Sequence, residues 1–250
     1  MKRLWYLAAA GAVAAGVFFL AGFDEPSGRD WTLKAQNALI IGGYGDNFAY
    51  SGENVRPIIG TAVLRVDSAF DAGELVATLR TTPESGPIRM GKDVYLTGEV
   101  QIVMRDFAED APFMEGGITE FLWIHGDTGQ GPPVMPRQFA FLAGWGTLDI
   151  YVNGELLYEG LDGHFMYTEQ ARRGPEAGYK VARDDGTVYS PMMPDKTRFT
   201  DPTNGELHIV AHSADADPGN FPPNSLWLHL NFADVFVQQA PVGTVSTIAP

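Results

Sequence analysis

Apolar and polar residues alternate through most of the chain after residue 56, in short runs separated by glycine and proline. This pattern is typical of many short β-strands, because successive side chains of a strand point to opposite faces of its sheet. No amphipathic helix of ten or more residues is indicated in this part of the chain. Strands are predicted at residues 58–66, 74–81, 94–105, 118–125, 138–142, 164–168, 206–213 and 225–238.

The clearest local prediction is a β-hairpin over residues 147–158, where alternating apolar residues flank Asn153 and Gly154. Asn-Gly is the preferred pair for a two-residue type I′ turn, because both positions need positive φ. The hairpin resembles those of many sugar-binding jelly rolls, although any β-sandwich could contain it.

About nine strands and few helices predict an all-β fold, an antiparallel β-sandwich of jelly-roll type, with a closed barrel as the alternative. We expect the sandwich to occupy residues 57–239, after a lead-in segment at 24–56 and before a flexible tail at 240–250.

The start of the chain predicts one transmembrane or signal helix. Lys2 and Arg3 precede an uncharged run from Leu4 to Phe23, and Asp24 follows it. A helix of 20 residues spans about 30 Å, the thickness of a bilayer's hydrocarbon core. The basic residues before the run favour a cytoplasmic start and an exported domain, periplasmic or on the cell surface. Both a retained signal-anchor and a cleaved signal peptide fit this pattern.

Composition excludes several classes of function. The chain has a net charge of −14; 15 of its 17 basic residues and all 31 acidic residues follow Phe23, which leaves that part at −16. Such a charge repels nucleic acid, so no nucleic-acid partner is expected. Since the chain has no Cys, disulfides, thiolate nucleophiles and thiolate metal sites are excluded.

One surface can be derived from the alternation of the last two predicted strands. Trp227, His229 and Asn231 alternate with apolar residues, as do His208 and His212. If the two strands pair, these five side chains lie on one outward face, where an aromatic ring and polar groups could bind a glycan or a protein. Alternatively, the long loop at 174–203 covers this face and buries it.

Other candidate sites are weaker. Asp215, Asp217 and Asn220 faintly resemble a calcium loop but lack the downstream bidentate Glu, so we expect no cofactor, with Ca²⁺ as the alternative. The glycines of residues 42–47 lack the third glycine and the helix of a dinucleotide loop. Nothing in the spacing of the acidic residues singles out a catalytic pair among Glu120, Asp127, Asp149 and Glu169.

Without a catalytic motif, the sequence favours a non-enzymatic, membrane-tethered binding or accessory subunit of the cell envelope. The alternative is a carbohydrate-binding module, or a hydrolase that uses paired carboxylates.

Overall fold

The computed structural model describes residues 29–45, 50–111, 114–115 and 117–241, and it assigns thirteen β-strands and one short 3-10 helix to them. The described residues contain no α-helix. The strands are β1 (Arg29–Gly43), β2 (Arg56–Asp67), β3 (Ala72–Arg80), β4 (Ile88–Arg89), β5 (Tyr95–Leu96), β6 (Glu99–Phe107), β7 (Asp110–Ala111), β8 (Met114–Glu115), β9 (Ile118–Ile124), β10 (Gln138–Val152), β11 (Glu155–Gln170), β12 (Asp201–His212) and β13 (Trp227–Pro241).

Eight of these strands form a closed antiparallel barrel. Their order is β11-β12-β13-β1-β2-β3-β6-β10, and β10 pairs back with β11 to close the ring. β9 pairs with the first half of β10, beyond the stretch that pairs with β6. The predicted β-sandwich is therefore wrong, and the closed barrel that the sequence left as the alternative is the observed fold.

Strand length explains why the sandwich prediction failed. The sequence indicated short strands, but β10 and β11 contain 15 and 16 residues. β10 joins residues that were expected to form two strands. Its register shifts let the strand bend around the barrel and pair with several neighbouring strands. Because inward and outward residues alternate in both architectures, the pattern alone does not distinguish a barrel from a sandwich.

The barrel interior is filled by side chains. Inward residues from all eight strands form one apolar core, whose fully buried members include Leu33, Leu64, Leu75, Ile102 and Phe165. A barrel of eight strands is just wide enough for side chains to fill it. Any binding site among the described residues therefore lies on the outside or at an end of the barrel.

The structure agrees with the predicted hairpin at 147–158 and adds a strand to the segment at 24–56. Asn153 and Gly154 both have positive φ and join β10 to β11, so the hairpin prediction is confirmed. The segment at 24–56, expected only to lead into the domain, contributes β1, which pairs with β13 and β2.

No helix of the described residues is long and apolar enough to cross a membrane. The run from residue 4 to 23 lies outside the described residues, so the prediction of a membrane or signal helix there stays a prediction.

One irregular segment positions the predicted site. Residues 171–200, here called the covering segment, pass over the outside of β12 and β13 and contain the 3-10 helix Pro175–Ala177. The segment has a small apolar core of its own, formed by Ala171, Val181, Tyr189 and Phe199. It is therefore a packed element and not a loose loop.

Candidate functional site

The structure brings the predicted site residues together. β12 and β13 are antiparallel neighbours, and their register pairs His208 with Asn231 and His212 with Trp227. The alternate residues, such as Ile209 and Leu230, point into the barrel core. The shared outward face expected from the sequence is thus present, and His229 lies between the two pairs, opposite Val210.

This face is covered. His208, His229, Asn231 and Trp227 are all buried, and the covering segment lies over the first two. His212 keeps partial exposure and stacks on Trp227, with ring centroids 5.7 Å apart. The sequence left open whether this face is exposed or covered by the long loop, and in the structure the loop covers it.

Beneath the cover lies a chain of buried hydrogen bonds. Oε1 of Glu206 lies 2.9 Å from Nε2 of His208, whose Nδ1 lies 3.0 Å from Nε2 of His229. The backbone N–H of Arg172 donates to the other oxygen of Glu206 over 3.3 Å. If Glu206 is ionised and both rings are neutral, His208 donates through Nε2 and accepts at Nδ1 from the Nε2–H of His229, which satisfies all three groups.

The electrostatics of the site favour an ionised Glu206 and a neutral His229. Burial alone would raise the pKa of the fully buried Glu206 carboxyl, but His208, the Ala171 backbone and Arg172 hold it below its ordinary value. The pKa of His229 lies well below its ordinary value, because burial and the neighbouring histidines both penalise the charged imidazolium. An ionised Glu206 carboxylate and a neutral His229 ring are thus the stable states near pH 7.

The two remaining histidines also belong to this face. His164 and His229 lie on either side of β12, because both pair with Val210. Burial lowers the pKa of His164, and the nearby charges of His212, His125 and His208 lower it further. Burial and His208 lower the pKa of His125 to about 4. All five histidines of the chain therefore share one side of the barrel.

The space at this network is too small for a ligand. A cavity of about 20 Å³ separates the covering segment from the barrel wall and is lined in part by Tyr50, Gln138, Arg172, Glu206 and His229. That volume holds one water molecule, whereas ligand pockets measure about 300–1,000 Å³. The predicted binding face is a buried polar network, which braces the covering segment against the barrel.

The candidate calcium loop uses its carboxylates internally. Asp215 accepts from Ser225, and Asp217 accepts from the Tyr44 hydroxyl and from the Gly219 backbone. Among the described residues, no group of three or more His, Cys, Asp or Glu side chains is placed to hold a metal ion.

The four candidate catalytic carboxylates are likewise engaged in structural contacts. Glu120 accepts from the Trp31 indole, and Asp127 pairs with Arg137. Asp149 accepts from the Gly160 backbone, and Glu169 accepts from Thr200. None of these contacts joins two of the four carboxylates.

A cleft that the sequence did not indicate lies where β12 and β13 separate. β13 pairs with β12 only from Trp227 to Phe232, and beyond that point the strands diverge around a space of about 750 Å³. The cleft is lined by Lys34, Ala35, Gln36, Thr61, Ala62, Val63, Tyr167, Thr203, Asn204, Gly205, Ala233, Asp234, Val235 and Phe236. These residues come from five strands, so no local motif could have revealed them.

Three features shape this cleft. Gly205 lies flush against the Tyr167 ring, since a Cβ there would come within 2.4 Å of it. Phe236 is 71 % exposed although it is a large apolar side chain. Asp234 accepts a hydrogen bond from the Asn37 side chain, which orients its carboxylate.

Comparison of the chain with protein-family models, with curated proteins and with solved structures finds no match. The function must therefore be inferred from the residues of the site.

Proposed function

We propose that this chain is a non-enzymatic binding protein of the cell envelope and that it binds a neutral carbohydrate in the cleft between β12 and β13. One observation carries the proposal: the cleft of about 750 Å³ combines an exposed aromatic ring with several polar side chains. This size and this mixture of groups are those of a small-molecule site.

The lining favours a ligand with many hydroxyls and no net charge. Lys34 and Asp234 contribute one charge of each sign, so the cleft does not select an ion. Gln36 and Asn204 each offer an amide that both donates and accepts, as hydroxyl groups require. The exposed Phe236 ring supplies the apolar surface on which a sugar ring can pack.

The same lining argues against hydrolysis. Glycosidases that use paired carboxylates need two such groups flanking the scissile bond. Among the residues that line the cleft, Asp234 is the single carboxylate, and it is held by Asn37. A binding function fits these groups better than a catalytic one.

The cell-envelope location is part of the proposal. Its support is the uncharged run from residue 4 to 23, long enough to cross a bilayer, with basic residues before it and acidic residues after it. Retention of this run as an anchor gives a tethered binding protein.

A glycan array tests the ligand. The full chain, solubilised in detergent, should bind a subset of neutral glycans, and Phe236→Ala should weaken that binding about three- to tenfold through loss of the ring contact. Asn204→Ala should weaken it as well, whereas Tyr95→Ala, which removes another exposed ring, should not. Binding that is unchanged in the two cleft variants, or binding of a protein with no glycan, would refute the carbohydrate site.

A further inference from the structure

One end of the barrel carries exposed aromatic residues beside the place where the described chain begins. Phe121 and Trp123 on β9 are 43 % and 44 % exposed, and Phe70, in the turn between β2 and β3, is 63 % exposed. Arg29 is the first residue of β1 and lies with its guanidinium 5.1 Å from the centre of the Phe121 ring. We call Phe70, Phe121, Trp123, Arg29 and Arg137 the aromatic patch.

The patch is one connected structure. The Phe139 ring contacts both Phe121 and Trp123, with centroids 6.4 Å and 5.1 Å away. The hydroxyl of Ser68, two residues before Phe70, accepts from the Arg29 backbone. These contacts hold the Phe121 and Trp123 rings in place, and the turn that contains Phe70 is tied to β9 because Asp71 accepts a hydrogen bond from the Ile118 backbone.

Cationic groups cover the rings. The Arg137 guanidinium lies 4.3 Å from the centre of the Trp123 ring, and its backbone N–H donates to the carbonyl of Lys196. Glu120 and Asp127 lie close to these arginines, so the patch is nearly neutral in a chain of net charge −14. Aromatic rings beside Arg side chains are groups that proteins place at a membrane–water interface.

The position of Arg29 restricts what can meet this patch. Only residues 24–28 separate Arg29 from the apolar run that ends at Phe23. Fully extended, this connection reaches at most about 20 Å. If residues 4–23 lie in the bilayer, the end of the barrel that contains Arg29 must stay close to the lipid surface.

We infer that the aromatic patch docks onto the lipid bilayer that holds residues 4–23. The rings of Phe70, Phe121 and Trp123 enter the headgroup region, and the guanidinium groups of Arg29 and Arg137 contact lipid phosphates. Docking fixes the orientation of the barrel relative to the membrane, which a flexible tether alone would not do. The inference rests on the proposed tether but not on the proposed carbohydrate ligand.

Site-directed spin labelling tests the inference, and the absence of Cys from the chain makes single labels unambiguous. The full chain is reconstituted in vesicles of phosphatidylcholine and phosphatidylglycerol and labelled at Phe70→Cys. Tyr95→Cys, at another exposed aromatic position, is the control. The label at 70 should gain contact with oxygen and lose contact with a water-soluble nickel chelate relative to the same protein in detergent. The label at 95 should not change.

A second variant separates docking from general insertion. Phe121→Gln combined with Trp123→Gln should restore access of the nickel chelate to the label at 70. Leu156→Gln combined with Leu157→Gln, which alters two exposed apolar residues of the β10–β11 hairpin, should not. Unchanged far-UV circular dichroism shows that each variant is folded.

Flotation of the vesicles distinguishes the possible failures. A chain that does not float with the vesicles refutes both the tether and the docking. A chain that floats while the labels at 70 and 95 remain equally accessible to nickel refutes the docking alone. Protection of the label at 70 only when a second protein is present would assign the patch to that protein and would also refute the inference.

Discussion

Nδ1 of His208 and Nε2 of His229 lie 3.0 Å apart in the closed space between the barrel wall and the covering segment. Only one of the two nitrogens carries a hydrogen when both rings are neutral, and the contact is then an ordinary hydrogen bond. When both rings are protonated, both nitrogens are donors and the contact becomes repulsive. The stability of this part of the fold should therefore depend on pH.

The stability should fall as the pH falls below about 6.5, the ordinary value for histidine. The folded-state pKa is about 4 for His125 and well below the ordinary value for His229, so protons bind the unfolded chain first. The stabilisation is complete above the ordinary pKa and is lost as the pH falls towards the lowered, folded-state pKa. Between these two values the free energy of unfolding decreases by up to about 1.4 kcal/mol per pH unit for each such histidine. Urea unfolding at several pH values between about 7.5 and 5 measures the slope.

His229→Gln is the matched variant for this measurement, because glutamine keeps a polar side chain but does not titrate. The slope between pH 7.5 and 5 should be smaller than in the parent. Glu206 does not contribute to the slope in this pH range. Because its pKa is lowered in the folded state, its protonation reduces stability only below its ordinary pKa of 4.5. Equal slopes in parent and variant would mean that the His229 pKa is not lowered in the folded state.

Removal of the carboxylate should be costly for stability. Glu206 is fully buried and accepts from both His208 and the Arg172 backbone. Glu206→Ala leaves these donors without their acceptor, which should cost about 2–4 kcal/mol of unfolding free energy. The control is Glu74→Ala, which breaks an exposed pair with Arg105 and should cost less than about 1 kcal/mol. Similar losses in the two variants would contradict a stabilising role for the buried network.

Substitutions of a glycine in the barrel wall and of a ring in the core should have coupled effects on stability. Gly144 pairs with Phe165 across β10 and β11, and a Cβ at 144 would lie 2.4 Å from the Phe165 ring. Gly144→Ala should therefore destabilise the barrel by about 1–3 kcal/mol through overcrowding. In a Phe165→Leu background the same change should cost less, because the smaller side chain leaves room. A double-mutant cycle measures this coupling, and strictly additive effects would contradict the close approach.

The sequence predicted the strands better than their arrangement. Alternation located β2, β3, β9, β12 and β13 within a few residues, because half-buried strands carry that period wherever they pack. β1 was missed because its bulge, at Asn37 with positive φ, interrupts the alternation between Ala35 and Ala38. Closure of the barrel depends on the pairing of β1 with β13, at opposite ends of the chain, and no local period encodes it.

For the candidate site too, local alternation predicts which residues share a face but not what surrounds that face. Alternation alone placed His208, His229 and Asn231 on one face, and the structure brings them together. Whether that face is open depends on residues 171–200, whose polar sequence gives no periodic signal. The cleft between β12 and β13 arises where two strands cease to pair, so it follows from the register of the whole barrel.

The covering segment should open without unfolding of the barrel when its own small core is removed. Phe199 is fully buried against Tyr189 and contributes to the small core of the covering segment, outside the barrel. Phe199→Ala should destabilise the segment by about 3–5 kcal/mol, the usual cost of such a truncation. Because the strands on the far side of the barrel, β3 and β6, make none of these contacts, their global stability should change much less.

Hydrogen exchange followed by mass spectrometry measures the two regions in one experiment. In Phe199→Ala, amides of residues 171–200 should exchange faster than in the parent, while those of β3 and β6 should keep their protection. Exposed Met192→Ala, in the same segment, is the control and should change neither region. Equal loss of protection in the segment and in β3 would show that the cover and the barrel unfold as one unit.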